Sequence, residues 1–499
     1  MTFYARSTRR WLDQRFARRG PTGAFFAHMP IYGFGHAEAE GHHTGRLARS
    51  LRILRALDGL AFTSLLDVGG AEGYLCHVVR TLFGADVATS DLSVEACWRA
   101  RELFGLPAAA VDCARLPFPD AAFDVVVCSE VLEHVEQPVP TLLELCRVAR
   151  RAVILTTEEI RYDRASIDEY LFRRPGWPHM ERNVFHPDDL AACLPGAVLV
   201  PQCDVLPPDS LPSPDAAIAW LLTNTKTSTM EPGRIGVAAT IPRAGITRRA
   251  RTMDDATLLT RLFATTVVPG TKAPARSPGA DAAFWSRLVE PTSLTPLHRD
   301  GDRLVGARSF PIRDGVPDFV DVDAPPISRD ELERRIAAEP PERRRALLDL
   351  HDRLALPERW TQDIFDFAVR SDRRGFWPND QLILREGADG FRWRATGGDP
   401  WIVTPLLQRP IRAIEIEMRI HAPGHPIDAG TAQLFWKGAD QETFTEPFSV
   451  TWRSINDGLV HRYRVELSGR PGVPAEVQWL RFDPVDGPCE VDLVSLRVE

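Results

Sequence analysis

At 499 residues the chain is too long for one ordinary hydrophobic core, so two to four domains are expected. Hydrophobic residues make up 44% and charged residues 26%, the balance of a soluble globular protein. A formal net charge of −8 and a pI near 6.0 exclude a sequence-wide role on nucleic acid, because phosphate backbones select basic surfaces.

The N-terminal residues 1–44 are expected to form a helical or lid region. Arg6, Arg9, Arg10, Arg15, Arg18 and Arg19 precede no apolar signal-peptide core. They read as a solvated helix or a disordered start; the other reading is a basic amphipathic helix that touches a membrane or an acidic partner. HMPIYGFGHAEAEGHH (28–43) is rich in His and Gly but matches no metal-ligand spacing, so it reads as a loop or lid and no metal site is assigned. Residues 64–157 alternate short apolar strands with amphipathic helices, the pattern of a doubly wound parallel sheet. The strands are expected at 64–68, 86–90, 108–112, 123–128 and 152–156. Leu75, Val78, Val79, Leu82 and Phe83 mark one helical face. Ser93 is the expected N-cap of a helix that ends near Gly105, and Pro138 and Pro140 open another with Leu142, Leu145 and Cys146 inward. Residues 205–215 and 268–281 read as Pro/Gly/Ser-rich linkers. A compact segment follows at 286–320, then a charged helical connector at 329–353. The last 140 residues hold seven of the twelve tryptophans and many alternating runs, such as AIEIEMRI (413–420) and VQWLRF (477–482), which predicts an all-β sandwich. The expected domain limits are 45–242, 243–325, 326–358 and 359–499. The eight cysteines form no C-x-x-C pair and read as buried thiols of a reducing, cytoplasmic compartment. No apolar run is long enough for a transmembrane span.

The chemistry concentrates in LLDVGGAEGYL (65–75), where a strand ends at Asp67-Val68, a glycine turn follows and a helix opens. Gly69, Gly70 and Gly73 allow close backbone approach to a ligand, and the helix start offers N–H groups to an anion. The spacing is not the dinucleotide fingerprint, since the sixth position from Gly69 is Tyr74. Two further acids extend the pattern. Asp91 at the end of the second strand is placed to accept from both ribose hydroxyls, and Asp112 at the end of the third to accept from an adenine amino group. Three carboxylates at successive strand tips are what a nucleoside crevice needs.

The segments DVGGAEG, SDLS and DCARLPFPDAAFDVVVCSEVLEHV together resemble class I S-adenosylmethionine (SAM) dependent methyltransferases of the ubiquinone/menaquinone C-methyltransferase type, over about 110 residues. The resemblance implies that Asp67, Gly69, Gly70 and Gly73 line the methionine end of SAM, Asp91 with Leu92 the ribose, and Asp112 with Cys113 the adenine. It places Ser129 and Glu130 near the sulfonium. Ala71 and Glu72 stand where that type has glycine and a small or hydroxyl residue; the added carboxylate is expected to point to solvent or to repel the cofactor's own. For a hydroxyl acceptor a general base helps. Glu133 and His134, after the fourth strand, and His179, in GWPHMERNVFHPDDL, are the candidates.

LVEPTSLTPLHRDGDRLVGARSFPIRDGVPDFV (288–320) resembles the zinc-ribbon-like methyltransferase-activator domain, with Glu290, Ser293 and Gly306 where that family has cysteines, so no zinc is expected. The C-terminal pattern AQLFWKGADQETFTEPFS, DGLVHRYRVELSG, VQWLRFDPVDG resembles jelly-roll, carbohydrate-binding-like modules appended to bacterial enzymes of surface polysaccharide synthesis. Trp436 and Trp479 read as core, and Trp377, Trp393 and Trp401 as the tryptophans exposed for sugar stacking. The implied function is O-methylation of a sugar or cell-surface glycan precursor, with protein partners in polysaccharide synthesis. A small-molecule methyltransferase with an assembly β-domain and a non-catalytic glycan-binding scaffold are the alternatives.

Overall fold

The computed structural model describes residues 3–33, 36–40, 43–157, 160–161, 163–174, 177, 179–194, 196–203, 235–242, 250–270, 272–273, 281–321, 324–355, 362–385, 391–421, 430–438, 441 and 443–499. The linker expected at 205–215 lies outside them, as does most of the one at 268–281. They form two compact units, one of residues 1–167 and 178–355, the other of 168–177 and 356–499.

The first unit begins with α1 (Phe3–Ala17) and α2 (His43–Asp58). β1 (Ser64–Val68), α3 (Tyr74–Phe83), β2 (Asp86–Asp91), α4 (Val94–Phe104), β3 (Ala108–Ala110), β4 (Phe123–Ser129), α5 (Pro138–Val148) and β5 (Ala149–Thr156) then alternate as the apolar spacing predicts. α6 (Arg164–Arg173), α7 (Pro187–Cys193), β6 (Val198–Cys203) and β7 (Ile235–Pro242) complete the sheet region. Seven strands lie in the order β3-β2-β1-β4-β5-β7-β6. β1 pairs in parallel with β2 and β4, so the order reverses between β1 and β4. That reversal opens a crevice at the strands' carboxyl ends. β7 runs antiparallel to β5 and β6. β1 is buried along its whole length, which fits a central strand covered on both faces. Ser93 caps α4 by accepting from Ala96 N at 3.1 Å, and left-handed Gly105 (φ 61°) ends it. Leu142 and Leu145 of α5 face inward, whereas Cys146 is half-buried, one step off that face.

α1 is not a solvated tail: it packs on α4, and Asp13 accepts from Ser93 Oγ at 2.6 Å. Residues 298–317 form a four-stranded antiparallel ribbon. Just after it Phe319 N donates to Ala110 O at 2.9 Å, so this chain covers the open edge of β3. In the turn that precedes the ribbon Glu290, 1% exposed, accepts from the N–H groups of Thr292 (2.9 Å) and Ser293. The charged stretch at 329–353 is two helices, Arg329–Arg335 and Pro341–Leu354, and the second packs on α5 and α7.

The second unit holds two antiparallel sheets, of six and five strands, which share one core containing Phe391, Ile416, Leu434, Trp436 and Leu480. Trp436 and Trp479 are 2% and 1% exposed, as alternation predicts. Trp393, expected at the surface, is fully buried on a strand flanked by two others. Trp377 and Trp401 are half-buried rather than open: Tyr170 lies edge-on to Trp377 at 5.8 Å and Trp177 tilts over Trp401 at 6.3 Å. No helix among the described residues is long and apolar enough to cross a membrane.

Candidate active site

A cavity of about 610 Å³ opens at the carboxyl ends of β1, β2 and β4. Asp67, Gly69, Gly70, Asp91, Leu92, Asp112, Cys113, Ser129 and Glu130 line it, together with Glu133, His134 and His179. Three carboxylates separated by up to 45 positions in sequence are thus brought around one space by the parallel register of β1, β2 and β3. Gly73 does not line the cavity; a Cβ there would sit 2.7 Å from that of Ala100, so this glycine lets α3 pack against α4.

Asp91 is almost fully buried and accepts from Ala71 N at 3.0 Å and Ser93 N at 2.9 Å. Those bonds hold Ala71 in the left-handed region (φ 49°), where a side chain is strained. Glu130 (φ 55°) and His179 (φ 52°) share that conformation and also line the cavity. Three residues around the site thus carry backbone strain, which can persist where the surroundings over-determine the geometry.

Asp67 is 2% exposed, and no cationic side chain pairs with it among the described residues. Burial, reinforced by Asp91, pushes its carboxyl up to about 7; burial, with Asp13 adding to it, pushes Asp91 up to about 6. Two buried carboxylates without a counter-cation suit a ligand that brings positive charge. An ammonium and a sulfonium beside Asp67 would restore their ionised forms. Binding such a cation should release protons, because the ligand-free protein holds them more tightly than the complex. Its affinity should rise roughly tenfold between pH 5.5 and 7.5, read by calorimetry in buffers of different ionisation heat. The same shifts make the ligand-free fold lose stability as pH rises from about 4 through 7, since a raised carboxyl favours the folded state only while it stays protonated.

Glu72 points neither to solvent nor at the cavity. It is fully buried, accepts from Met29 N at 2.6 Å, and pairs with Arg99 Nη1 at 3.1 Å. Arg99 also donates to Phe26 O (2.9 Å) and Arg18 O (2.8 Å). The glycine turn is therefore pinned to the N-terminal segment.

The opposite side of the cavity was not legible as a site. α1, the 28–29 segment and α2 contribute Arg15, His28, Arg46 and Arg49 to its wall. Four planar groups stack in a column. Arg15 lies 4.9 Å over Trp11, Trp11 stacks on His179 at 4.7 Å, and His179 on His134 at 4.2 Å. His134 Nδ1 lies 3.0 Å from Met180 O, so Nδ1 carries the proton and Nε2 the lone pair. Burial lowers His134 and His179, which keeps both rings neutral. Asn183 Nδ2 donates to Leu132 O (2.9 Å) and Val135 O (2.7 Å), and the Glu133 carbonyl accepts from Arg182 N and Asn183 N. These bonds fasten the loop after β4 to the 179–183 segment and bring the two histidines into register. The only hint of this wall in the sequence was the His-rich run at 28–43.

Residues 66–156 match the model of the methyltransferase domain family. This stretch is a methyltransferase domain. The methyltransferase domain is the part of the chain that carries β1 to β5 and all three acids. No curated protein matches the sequence. Among solved structures, the complex of the Haloferax volcanii Trm112 methyltransferase activator with a putative methyltransferase is similar at 15% identity, covering 41% of this chain and 99% of that one, with a TM-score of 0.28. Magnesium protoporphyrin IX methyltransferase from Synechocystis with bound SAM is similar at 17% identity, over 49% and 99%, with a TM-score of 0.30. Geranyl diphosphate C-methyltransferase from Streptomyces coelicolor is similar at 14% identity, over 48% and 99%, with a TM-score of 0.30.

Proposed function

We propose that the protein O-methylates a sugar or a small precursor of a surface glycan, with Asp67 facing the ammonium and sulfonium side of SAM, Asp91 with Leu92 its ribose, and Asp112 with Cys113 its adenine. The observation that carries the cofactor half is the meeting of these acids in one cavity, two of them buried with no cationic side chain paired to them among the described residues. When bound, SAM supplies an electrophilic methyl group, so the chain's own task is mostly alignment and removal of a proton.

His134 is the base in this reading. Its Nδ1–H is held by Met180 O, which leaves Nε2 to take the acceptor's hydroxyl proton. Neutral His179, stacked on it, fixes the ring plane, and Glu133 anchors the loop through its carbonyl. His134→Asn should lower kcat by about 100-fold with the SAM dissociation constant unchanged. Transfer of label from SAM to nucleotide-sugar and glycan fractions tests the acceptor half. Label that goes only to a non-sugar small molecule would favour the second reading, a small-molecule methyltransferase with an assembly β-domain. Two observations speak for that alternative: the cavity's size is that of a small-ligand site, and Trp377 and Trp401 pack on Tyr170 and Trp177 rather than standing open for a sugar face.

The finer resemblances belong to the same proposal. The sharing of one core by two antiparallel sheets supports a jelly-roll-like sandwich, and the ribbon against β3 supports an activator-like role within the chain.

A further inference from the structure

One stripe of α1 looks into the cavity. Ala5, Thr8, Leu12, Arg15 and Phe16 recur at helical spacing and line the space. Trp11 sits beside that stripe and does not line it. Its indole instead stacks on His179 at 4.7 Å with 20° between the planes, and His179 stacks on His134 at 4.2 Å, again at 20°. Both imidazoles line the cavity. Trp11 therefore reaches the site only through a residue that faces it.

α1 holds His179 twice. Besides the indole, Thr8 is 8% exposed and its Oγ1 accepts from His179 N at 3.2 Å. Both contacts act on a residue in the left-handed region (φ 52°), a conformation that a non-glycine residue keeps only under constraint from its surroundings. The next residue, Met180, presents the carbonyl that fixes His134 Nδ1 at 3.0 Å. The ring and the carbonyl that orient His134 thus come from two consecutive residues, and α1 backs the first of them. α1 is itself anchored along its length. Ala5 N donates to Glu136 Oε1 at 2.9 Å, Arg9 Nη2 donates to Asp318 Oδ2 at 2.7 Å, and Asp13 accepts from Ser93 Oγ at 2.6 Å. The indole is a plate on a fixed mount.

We propose that Trp11 is a positioning residue for methyl transfer, holding His179 against His134 so that the Nε2 of the base keeps one direction toward the acceptor hydroxyl. This deepens the function given above and rests on its assignment of the base to His134. A single hydrogen bond at Nδ1 leaves an imidazole free to rock about that bond, and a stacked neighbour removes the freedom. A lone pair aimed badly at the proton costs rate without costing affinity for the cofactor. The plate also keeps water from the rings. Burial lowers His134, with Arg182 acting the same way and the Met180 carbonyl, Glu181 and Glu130 against it; Glu133 and Glu136 lie on its own loop. Burial lowers His179, with His134, Arg15 and His28 adding to it. Loss of the indole admits water beside His179, so both rings should take up protons at higher pH.

The test is an NMR titration of the full chain carrying nitrogen-15 histidine, with the two signals assigned through His134→Asn and His179→Asn. In the wild type both rings should titrate below the ordinary 6.5. Trp11→Ala should raise the His134 midpoint by at least about half a unit, and Trp11→Phe, which keeps a plate, should hold it near the wild-type value. On the fraction that takes label from SAM, Trp11→Ala should lower kcat at least about fivefold with the dissociation constant of S-adenosylhomocysteine unchanged. The acid limb of kcat should move to higher pH, because a base with a raised midpoint is still protonated there. Asp13→Ala loosens α1 away from the rings; it should lower the unfolding temperature and leave the histidine midpoints alone. A His134 midpoint that stays put in Trp11→Ala would overturn the proposal. So would an equal shift in Asp13→Ala, because docking of the helix rather than the indole would then hold the rings. Full kcat in His134→Asn removes the base assignment instead, and it is read independently of the Trp11 midpoints.

Discussion

Arg99→Leu should unfold the methyltransferase unit at a temperature lower by several degrees, reflecting a loss of about 3–5 kcal/mol. Glu72 and Arg99 are both without solvent exposure, and burial alone pushes Glu72 up and Arg99 down. Removing one partner strands the other charge in the interior, and three bonds to Phe26 O, Arg18 O and Glu72 vanish together. Glu72→Gln keeps the bond from Met29 N and should cost less. The double variant Glu72→Leu with Arg99→Leu should recover part of the loss, because neither charge then remains unpaired. Scanning calorimetry of the wild type, Glu72→Leu, Arg99→Leu and the double variant measures this coupling. If the two single substitutions cost no more than ordinary surface changes, the pair does not pin the glycine turn.

Asp91→Ala should weaken SAM binding about 100-fold. The side chain holds Ala71 N and Ser93 N in place and, in the proposed function, receives the ribose. Its loss therefore removes a ligand contact and releases strained Ala71 at once. Folding should change little. The lost backbone bonds destabilise the variant, but a carboxyl raised to about 6 by burial is itself a burden when ionised at pH 7.5, and the two effects oppose. Asp112→Ala should cost closer to tenfold, since that carboxylate is 32% exposed and faces Arg115. SAM affinity left intact by Asp91→Ala would end the ribose assignment.

How much of this could be read beforehand follows the range of the interactions. β1 to β5, the Ser93 cap and the glycine turn depend on neighbours a few positions apart, so spacing alone places them. The three acids were legible because each lies within two residues of its own strand's carboxyl end, and parallel pairing brings strand tips together. Glu72 was not, because its partners are Met29 and Arg99, on segments that no local pattern links. The arginine wall shares that origin: Arg15, His28 and Arg46, from three separate segments, meet one another and Glu40. Trp393 misled for a different reason. A tryptophan close to a turn looks exposed until the strands on both sides of it are known.

The second unit takes ten residues, 168–177, from the middle of the chain. Tyr170 and Trp177 on that short stretch are the ones that sit against Trp377 and Trp401, and Gly375 N donates to Phe172 O at 3.0 Å. The β-rich half therefore has no clean excision point. A fragment starting at residue 356 would leave behind its own plug and bare two large indoles. To be made separately, it would have to carry the 168–177 peptide grafted back on.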